Sequence, residues 1–251
     1  MMTSKRIPLS VLALSGFLAG HSAWAAISLD RTRVVFNGAE KSQSLTVSNQ
    51  NKQMPYLAQG WIEDEQGKKI QTPLTVLPPV QRIEAGAQSQ LKIQALPAAN
   101  LLAQDKETLF YFNLREIPPK SDKPNTLQIA LQTRIKLFYR PAALMLNTTQ
   151  MATPWQEKLT LTKQGDNYQV NNPTPYFITL VDAGSRAGVE GVKGFSPVMV
   201  PPKGQASLGV SGGVLGPNPV LTYINDYGGR PQLKFSCNGS SCTATPVKET
   251  K

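Results

Sequence analysis

Apolar and polar residues alternate over short stretches along most of the chain, which is the pattern of β-strands buried on one face. These stretches are rich in β-branched and aromatic residues and are bounded by Gly, Pro, Asn and Asp. No segment has the 3.6-residue period of a long amphipathic helix. The predicted strands are 46–48, 56–62, 90–95, 109–114, 126–139, 158–162, 168–170, 176–181 and 232–235.

The spacing of these strands predicts an all-β chain with two sandwich domains, because short strands without intervening helices are typical of β-sandwiches. A break follows Arg140-Pro141, where the polar run 147–150 separates the longest strand from a new set. We therefore place the domains at 26–146 and 147–251. The Gly- and Pro-rich stretch 204–219 lacks the lysine pattern of a phosphate-binding loop, and we interpret it as an ordinary loop.

The N-terminus has the pattern of a secretory signal peptide. Lys5 and Arg6 precede an apolar stretch over 7–20, and Ala23-Trp24-Ala25 offers the small residues that a signal peptidase requires. We predict removal of residues 1–25 and export of the rest. No later stretch approaches the roughly 18 consecutive apolar residues of a membrane-spanning helix, so we expect no membrane insertion.

Composition restricts the chemistry of the exported chain. Loss of residues 1–25 removes Lys5, Arg6 and the only histidine, His21, and lowers the formal net charge from +10 to +8. Without histidine there is no Ser-His-Asp system, imidazole base or histidine metal site. The acidic run 63–65 is typical of a solvated turn. We predict no enzyme activity, cofactor or metal, and no nucleic-acid binding because the basic residues are scattered.

The two cysteines, Cys237 and Cys242, are separated by four residues. In an exported chain such a pair predicts a disulfide that closes a small hairpin loop. A metal site would need more ligands than the chain offers.

The longest predicted strand has large apolar residues at every second position. Leu127, Ile129 and Leu131 share one face because side chains alternate across a strand. Periodicity allows two interpretations. The face packs into the core of its own domain, or it is an exposed edge that requires a partner to avoid aggregation.

Several long motifs resemble those of the periplasmic pilus chaperones, in the same order along nearly the whole chain after residue 25. The short, cysteine-free connection 115–125 resembles the short-loop subfamily, whereas 184–219 contains no recognisable motif. The motifs are ISLDRTR at 27–33, FYFNLREIPP at 110–119, IALQTRIKLFYRP at 129–141, NPTPY at 172–176 and YINDYGGRP at 223–231.

The resemblance implies two immunoglobulin-like domains at an angle, with a cleft between them. Family members lie in the periplasm and lend an edge strand to a pilus subunit that lacks its final strand, a form of β-augmentation. By this resemblance Leu127, Ile129 and Leu131 fill the groove of the subunit. The other expected partner is an outer-membrane usher, and the sequence leaves open whether the free chaperone caps itself as a dimer. A pilus subunit is the rival class, but it has one incomplete domain.

The resemblance also assigns roles to individual residues. Arg33 on the first strand and Lys136 near the end of the donor strand bind the carboxylate at the subunit's C-terminus. Lys136 has the opposite parity to the apolar row, so a regular strand directs it away from the groove and towards the cleft. The expected usher patch is Pro55, Leu57, Ile117 and Pro119, and the expected interdomain ionic cluster is Glu107, Arg140 and Asp226.

Overall fold

The computed structural model describes residues 25–151 and 153–248. The predicted signal peptide lies outside this range except for Ala25. Strands dominate the described residues, and the two α-helices have only four residues each, α1 (Thr148–Met151) and α2 (Gly212–Leu215). None of the described helices has the length and apolar character to cross a membrane.

The first domain consists of two packed sheets. One has the strand order β1-β3-β8-β6, and the other has the order β2-β10-β9-β4-β5 with β7 also paired to β4. The strands are β1 (Ile27–Leu29), β2 (Arg33–Asn37), β3 (Ser42–Asn49), β4 (Tyr56–Glu63), β5 (Lys69–Ile70), β6 (Leu74–Leu77), β7 (Val80–Ile83), β8 (Gln88–Ala95), β9 (Thr108–Ile117) and β10 (Gln132–Arg140).

Alternation along these strands builds the core between the sheets. In β3, Leu45 and Val47 are fully buried, whereas the residues on either side of each are not. Phe112 of β9 and Leu137 of β10 meet them from the opposite sheet in one apolar cluster. The predicted strands 46–48 and 109–114 lie within β3 and β9, and Val47 and Phe112 are on their buried faces.

The longest predicted strand, 126–139, is wrong at its N-terminal end, because β10 begins only at Gln132. On one side the ladder with β9 ends at the pair Gln132↔Arg115, and on the other side β2 is paired only from Lys136 onward. Residues 126–131 therefore alternate in sequence, but no strand in the described part of the chain is paired with them. Arg33 is also not on the first strand. β1 ends at Leu29, and over 30–32 the chain passes to the other sheet, where Arg33 begins β2.

The second domain is a single continuous sheet that folds over a second apolar cluster, in the order β14-β13-β16-β17-β18-β11-β12-β15. Its end strands, β14 and β15, come into contact. The strands are β11 (Thr160–Gln164), β12 (Asn167–Asn172), β13 (Ile178–Gly184), β14 (Val198–Val200), β15 (Gly204–Ser211), β16 (Val220–Ile224), β17 (Gln232–Asn238) and β18 (Ser241–Pro246).

The interpretation of 204–219 as a loop is wrong, because it contains β15 and α2. β15 pairs with β12, and the register shifts where Ser207 and Ser211 oppose residues only two apart. Gly209 lies within this bulge with φ +70, a conformation that side chains disfavour. Gly209 thus allows the backbone conformation that this bulge requires.

The disulfide prediction is confirmed. Cys237 and Cys242 are directly opposed on β17 and β18 and are joined by a disulfide. The turn between them contains Gly239 with positive φ. The bond therefore closes the hairpin at one edge of the second core, where Cys242 is buried.

Candidate functional site

The alternating apolar row before β10 lies on the surface. Leu127, Ile129 and Leu131, which we call the donor row, are 84%, 66% and 41% exposed. Among the described residues the segment has few backbone contacts, of which one joins Glu116 N–H to Leu131 O at 3.0 Å. Periodicity left open whether this face is a core face or an exposed edge, and in the structure it is exposed.

The donor row continues into an open sheet edge. β10 pairs with β9 from Gln132, but β2 covers its other edge only from Lys136. In the described part of the chain, residues 132–135 therefore have no strand on that side, and we call them the free edge. Such an edge offers backbone N–H and C=O groups to an incoming strand.

Two cations lie where the free edge ends. Lys136 of β10 and Arg33 of β2 are direct partners in the parallel register. Lys136 Nζ lies 3.0 Å from Thr179 Oγ1, and Arg33 Nη1 donates to Ile224 O at 3.2 Å. Because both acceptors belong to the second domain, both side chains enter the interdomain cleft, in agreement with the parity argument for Lys136.

The electrostatics of this pair favour an anion. Burial and, to a smaller extent, the charge of Arg33 together lower the pKa of Lys136 to about 8. Burial also lowers the pKa of Arg33, against the opposing effect of the Asp226 and Glu107 charges. Arg33 Nε is buried without an acceptor in the described structure. Two partly desolvated cations with spare donor capacity are suited to hold a carboxylate.

An ionic cluster joins the domains next to this pair. Arg140 Nε lies 2.8 Å from Glu107 Oε1, and its Nη1 lies 2.7 Å from Asp226 Oδ2. Glu107 Oε2 also accepts from Phe177 N–H of the second domain at 2.7 Å. The guanidinium of Arg140 lies 4.8 Å from the ring centroid of Tyr176. Arg140 is thus in direct contact with both acids of the predicted trio, and the trio connects the two domains.

Burial acts on the pKa of both buried members of this cluster, Glu107 and Arg140. It raises the pKa of Glu107, although Arg140 and Phe177 N–H oppose the shift. For Arg140, burial lowers the pKa but the hydrogen bond to Asp226 and the charges of both carboxylates outweigh it, so the net shift is upward. The cluster therefore depends on Arg140 to keep a buried carboxylate ionised.

Arg33 of the cation pair and Arg140 and Asp226 of the ionic cluster line one cleft of about 580 Å³. Its wall also contains Met151 and the exposed Tyr227. Sequence reasoning missed Thr179 and Ile224, which the second domain supplies next to the cations. Ile224 lies inside the YINDYGGRP motif, whereas Thr179 has no sequence signal because only the packing of the domains brings it to Lys136.

The four residues of the expected usher patch are neighbours on the first domain. Leu57 and Ile117 are paired across β4 and β9, and they line a depression of about 250 Å³ together with Pro55 and Pro119. Leu57 is 38% exposed. Among the described residues, no group of three or more His, Cys, Asp and Glu is placed to hold a metal ion.

Comparisons with known proteins agree along the chain. A family model described as pili and flagellar-assembly chaperone, PapD N-terminal domain, matches residues 26–145. A second model, the pili assembly chaperone PapD C-terminal domain, matches residues 154–235.

Similar proteins have related descriptions. The chain is 50% identical over 251 residues to the probable fimbrial chaperone YfcS of Escherichia coli strain K12, which covers 100% of this chain and 98% of the relative. It is 50% identical over 225 residues to the chaperone protein PapD of Escherichia coli. That alignment covers 89% of this chain and 92% of the relative.

Solved structures include the periplasmic chaperone SfaE, with a TM-score of 0.66 and 31% identity over 83% of this chain and 98% of that chain. The structure of the Salmonella enterica SafA pilin in complex with the SafB chaperone matches with a TM-score of 0.69 and 25% identity. The match covers 86% of this chain and 98% of that chain.

Proposed function

The chain belongs to the family of pili assembly chaperones and acts as a chaperone in pilus assembly, and we propose that it does so by lending its donor row to a pilus subunit. The observation that carries this mechanism is the continuity of three features. An exposed apolar row leads into a free sheet edge, and that edge ends at a pair of cations in a cleft.

The donor row suits an apolar groove. Its three side chains have the same parity as Ile135 and Leu137, which are buried in the first core. An incoming subunit seated on the free edge would therefore extend this core across the interface. Burying three such side chains stabilises a complex by about 5–9 kcal/mol before association costs, at about 1.5–3 kcal/mol each.

The cation pair supplies the register of this pairing. A terminal carboxylate has two oxygens, and Arg33 and Lys136 can each donate a charge-assisted hydrogen bond to them. Fixing the end of the subunit's last strand fixes which of its side chains face the groove, because a slip of one residue reverses every face.

The remaining assignments follow from the family. The patch of Pro55, Leu57, Ile117 and Pro119 is a contact for an outer-membrane usher, and the cluster around Arg140 holds the domains at their working angle. The chain acts in the periplasm, where the relative SfaE is described as a chaperone. Its domains span 26–146 and 147–251.

Co-expression tests the proposal. The chain, with its own residues 1–25, is produced together with tagged candidate pilus subunits, and periplasmic extracts are purified through the tag. We expect a 1:1 complex with at least one subunit and degradation of that subunit when the chaperone is omitted. PapD, produced with the same subunits, is the positive control. If subunits that are recovered with PapD are also present in the cells that produce this chain, but none associates with it, the proposal fails.

A further inference from the structure

The outward face of the sheet β2-β10-β9-β4 has a regular arrangement of charged and aromatic side chains. In one row, Lys136 lies between Arg33 of β2 and Tyr111 of β9, and Glu63 of β4 follows. In the next row, Arg134 and Trp61 flank Asn113, and in the third Gln132 and Gln59 flank Arg115. Their core-facing neighbours on β9 are buried, so these rows lie on the opposite face of the sheet, where Asn113 is covered by its neighbours and Arg115 is exposed.

Aromatic rings and one carboxylate hold the arginines of this face in place. The guanidinium of Arg134 lies 3.4 Å from the ring centroid of Tyr111, and its Nε lies 2.8 Å from Glu63 Oε2. Arg115 lies 5.1 Å from the ring centroid of Trp61 and donates to Gln132 Oε1 at 3.0 Å. Both guanidinium groups remain exposed although they are oriented.

The face has a strong excess of positive charge. We use the term cationic band for Arg33, Lys136, Arg134 and Arg115, which the strand register places on one continuous surface. Among the described residues of these three rows, Glu63 is the single acid. Burial opposes its ionisation, but hydrogen bonds from Arg134 and Trp61 hold its pKa below the usual range.

Fold stability does not account for this arrangement. Exposed ion pairs and cation–π contacts contribute little to folding free energy. Oriented arginines and aromatic side chains are instead enriched at protein–protein interfaces, where charge complementarity sets the rate of encounter.

We propose that the cationic band is a docking face for an acidic surface of the pilus subunit, which it steers onto the free edge before strand donation. The inference rests on the proposed function and adds the kind of subunit surface that the chaperone recognises. The subunit is the occupant because the band runs beside the free edge, residues 132–135, and ends at Arg33 and Lys136. A partner strand paired there would place its own outward side chains next to Arg134.

The rate of capture tests this proposal. The subunit recovered by co-expression is unfolded in denaturant and diluted into chaperone, and the association rate constant is measured by stopped-flow fluorescence at several NaCl concentrations. We expect the double variant Arg115→Gln with Arg134→Gln to associate about tenfold more slowly at low salt. The difference should vanish near 1 M NaCl, where the Debye length is about 3 Å.

Two further variants separate charge from structure. Arg115→Lys with Arg134→Lys keeps the charge and should retain most of the rate even if stacking is lost. Lys41→Gln with Lys92→Gln removes two exposed cations from the region of the other sheet and should leave the rate unchanged. Thermal melts of every variant establish that all are folded.

The outcomes are distinct. If the double glutamine variant is as fast as the wild type, or if the Lys41 and Lys92 control slows equally, the docking face is overturned. An effect confined to usher binding, with subunit capture unchanged, also overturns it and assigns the face to the usher. If the wild-type chain captures no subunit at any salt concentration, the proposed function itself fails.

Discussion

Arg33 and Lys136 are direct partners in the parallel register between β2 and β10, and both reach polar atoms of the second domain. Two cations side by side repel each other, and burial adds to the cost. Such an arrangement is stabilised when an anion enters between them. This relationship leads to the first two predictions.

Removing either cation should weaken subunit capture without unfolding the chain. We expect Arg33→Ala or Lys136→Ala to lower affinity by at least about 2–3 kcal/mol, the scale of a lost charge-assisted contact. The measurement is competition binding with a peptide copied from a subunit's C-terminus, as free acid and as amide. Lys92→Ala serves as a control on the other sheet. Equal affinity of acid and amide would falsify the anchor while leaving strand donation intact.

Capture should also depend on pH, because the pKa of Lys136 is lowered to about 8. Lys136 is charged below that pH and loses its proton above it, so affinity for the free-acid peptide should fall between pH 7 and 9.5. The amide peptide should show no such loss, and Lys136→Arg should abolish it because arginine stays protonated. A pH-independent affinity of the wild type for the free acid would contradict the assignment.

The same lysine affects stability in the opposite direction. Its pKa is lower in the folded than in the unfolded chain, so the unfolded state binds more protons between pH 8 and 10.5. The contribution of Lys136 to the free energy of unfolding therefore rises with pH over this range. Comparing urea unfolding of the wild type and Lys136→Met across these pH values isolates the effect.

A charge in the donor row should abolish capture and spare the fold. Ile129→Asp places a carboxylate in an apolar groove, where its desolvation is uncompensated, whereas in the free chain this side chain is 66% exposed. Gln128→Asp is the matched control, since it adds the same charge at the neighbouring position of opposite parity. Circular dichroism should be unchanged for both. Loss of folding in Ile129→Asp would return the segment to the core interpretation.

Truncating Arg140 should strongly destabilise the chain. Arg140→Leu leaves Glu107 buried without its cation, and we expect a loss of about 3–5 kcal/mol in the free energy of unfolding. The double variant Arg140→Leu with Glu107→Leu should recover part of that loss, because the fully buried carboxylate is gone and the remaining acid, Asp226, is partly exposed. Urea unfolding measures both. A loss under 1 kcal/mol in the single variant would mean that water reaches Glu107 and that the cluster is not sealed.

Removing the disulfide should affect the second domain alone. Cys237→Ser with Cys242→Ser reopens a short loop, which costs about 2–3 kcal/mol by chain-closure entropy. Subunit capture by the first domain should persist. Intact protein from the periplasm should be two hydrogens lighter than the dithiol by mass spectrometry, and alkylation of both thiols without reduction would refute the bond in the cell.

Local sequence determined much of this protein. The pattern predicted a strand at 46–48, and the structure extends that strand to 42–49 with Val47 fully buried. Cys237 and Cys242 are close enough in sequence for their pairing to need no long-range information. The family motifs likewise lie in continuous segments and name Arg33, Lys136 and Arg140 before any fold is known.

Tertiary structure decided the rest, because those features depend on which segments become neighbours. Alternation over 126–131 is compatible with core or surface, and only the absence of a paired strand beside it among the described residues leaves Ile129 exposed. Thr179 reaches Lys136 solely through the packing of two domains. The pKa of Lys136 follows from that burial, and the cationic band follows from register across three strands. Sequence specifies side chains and local periods, but burial and charge proximity are properties of the assembled sheet.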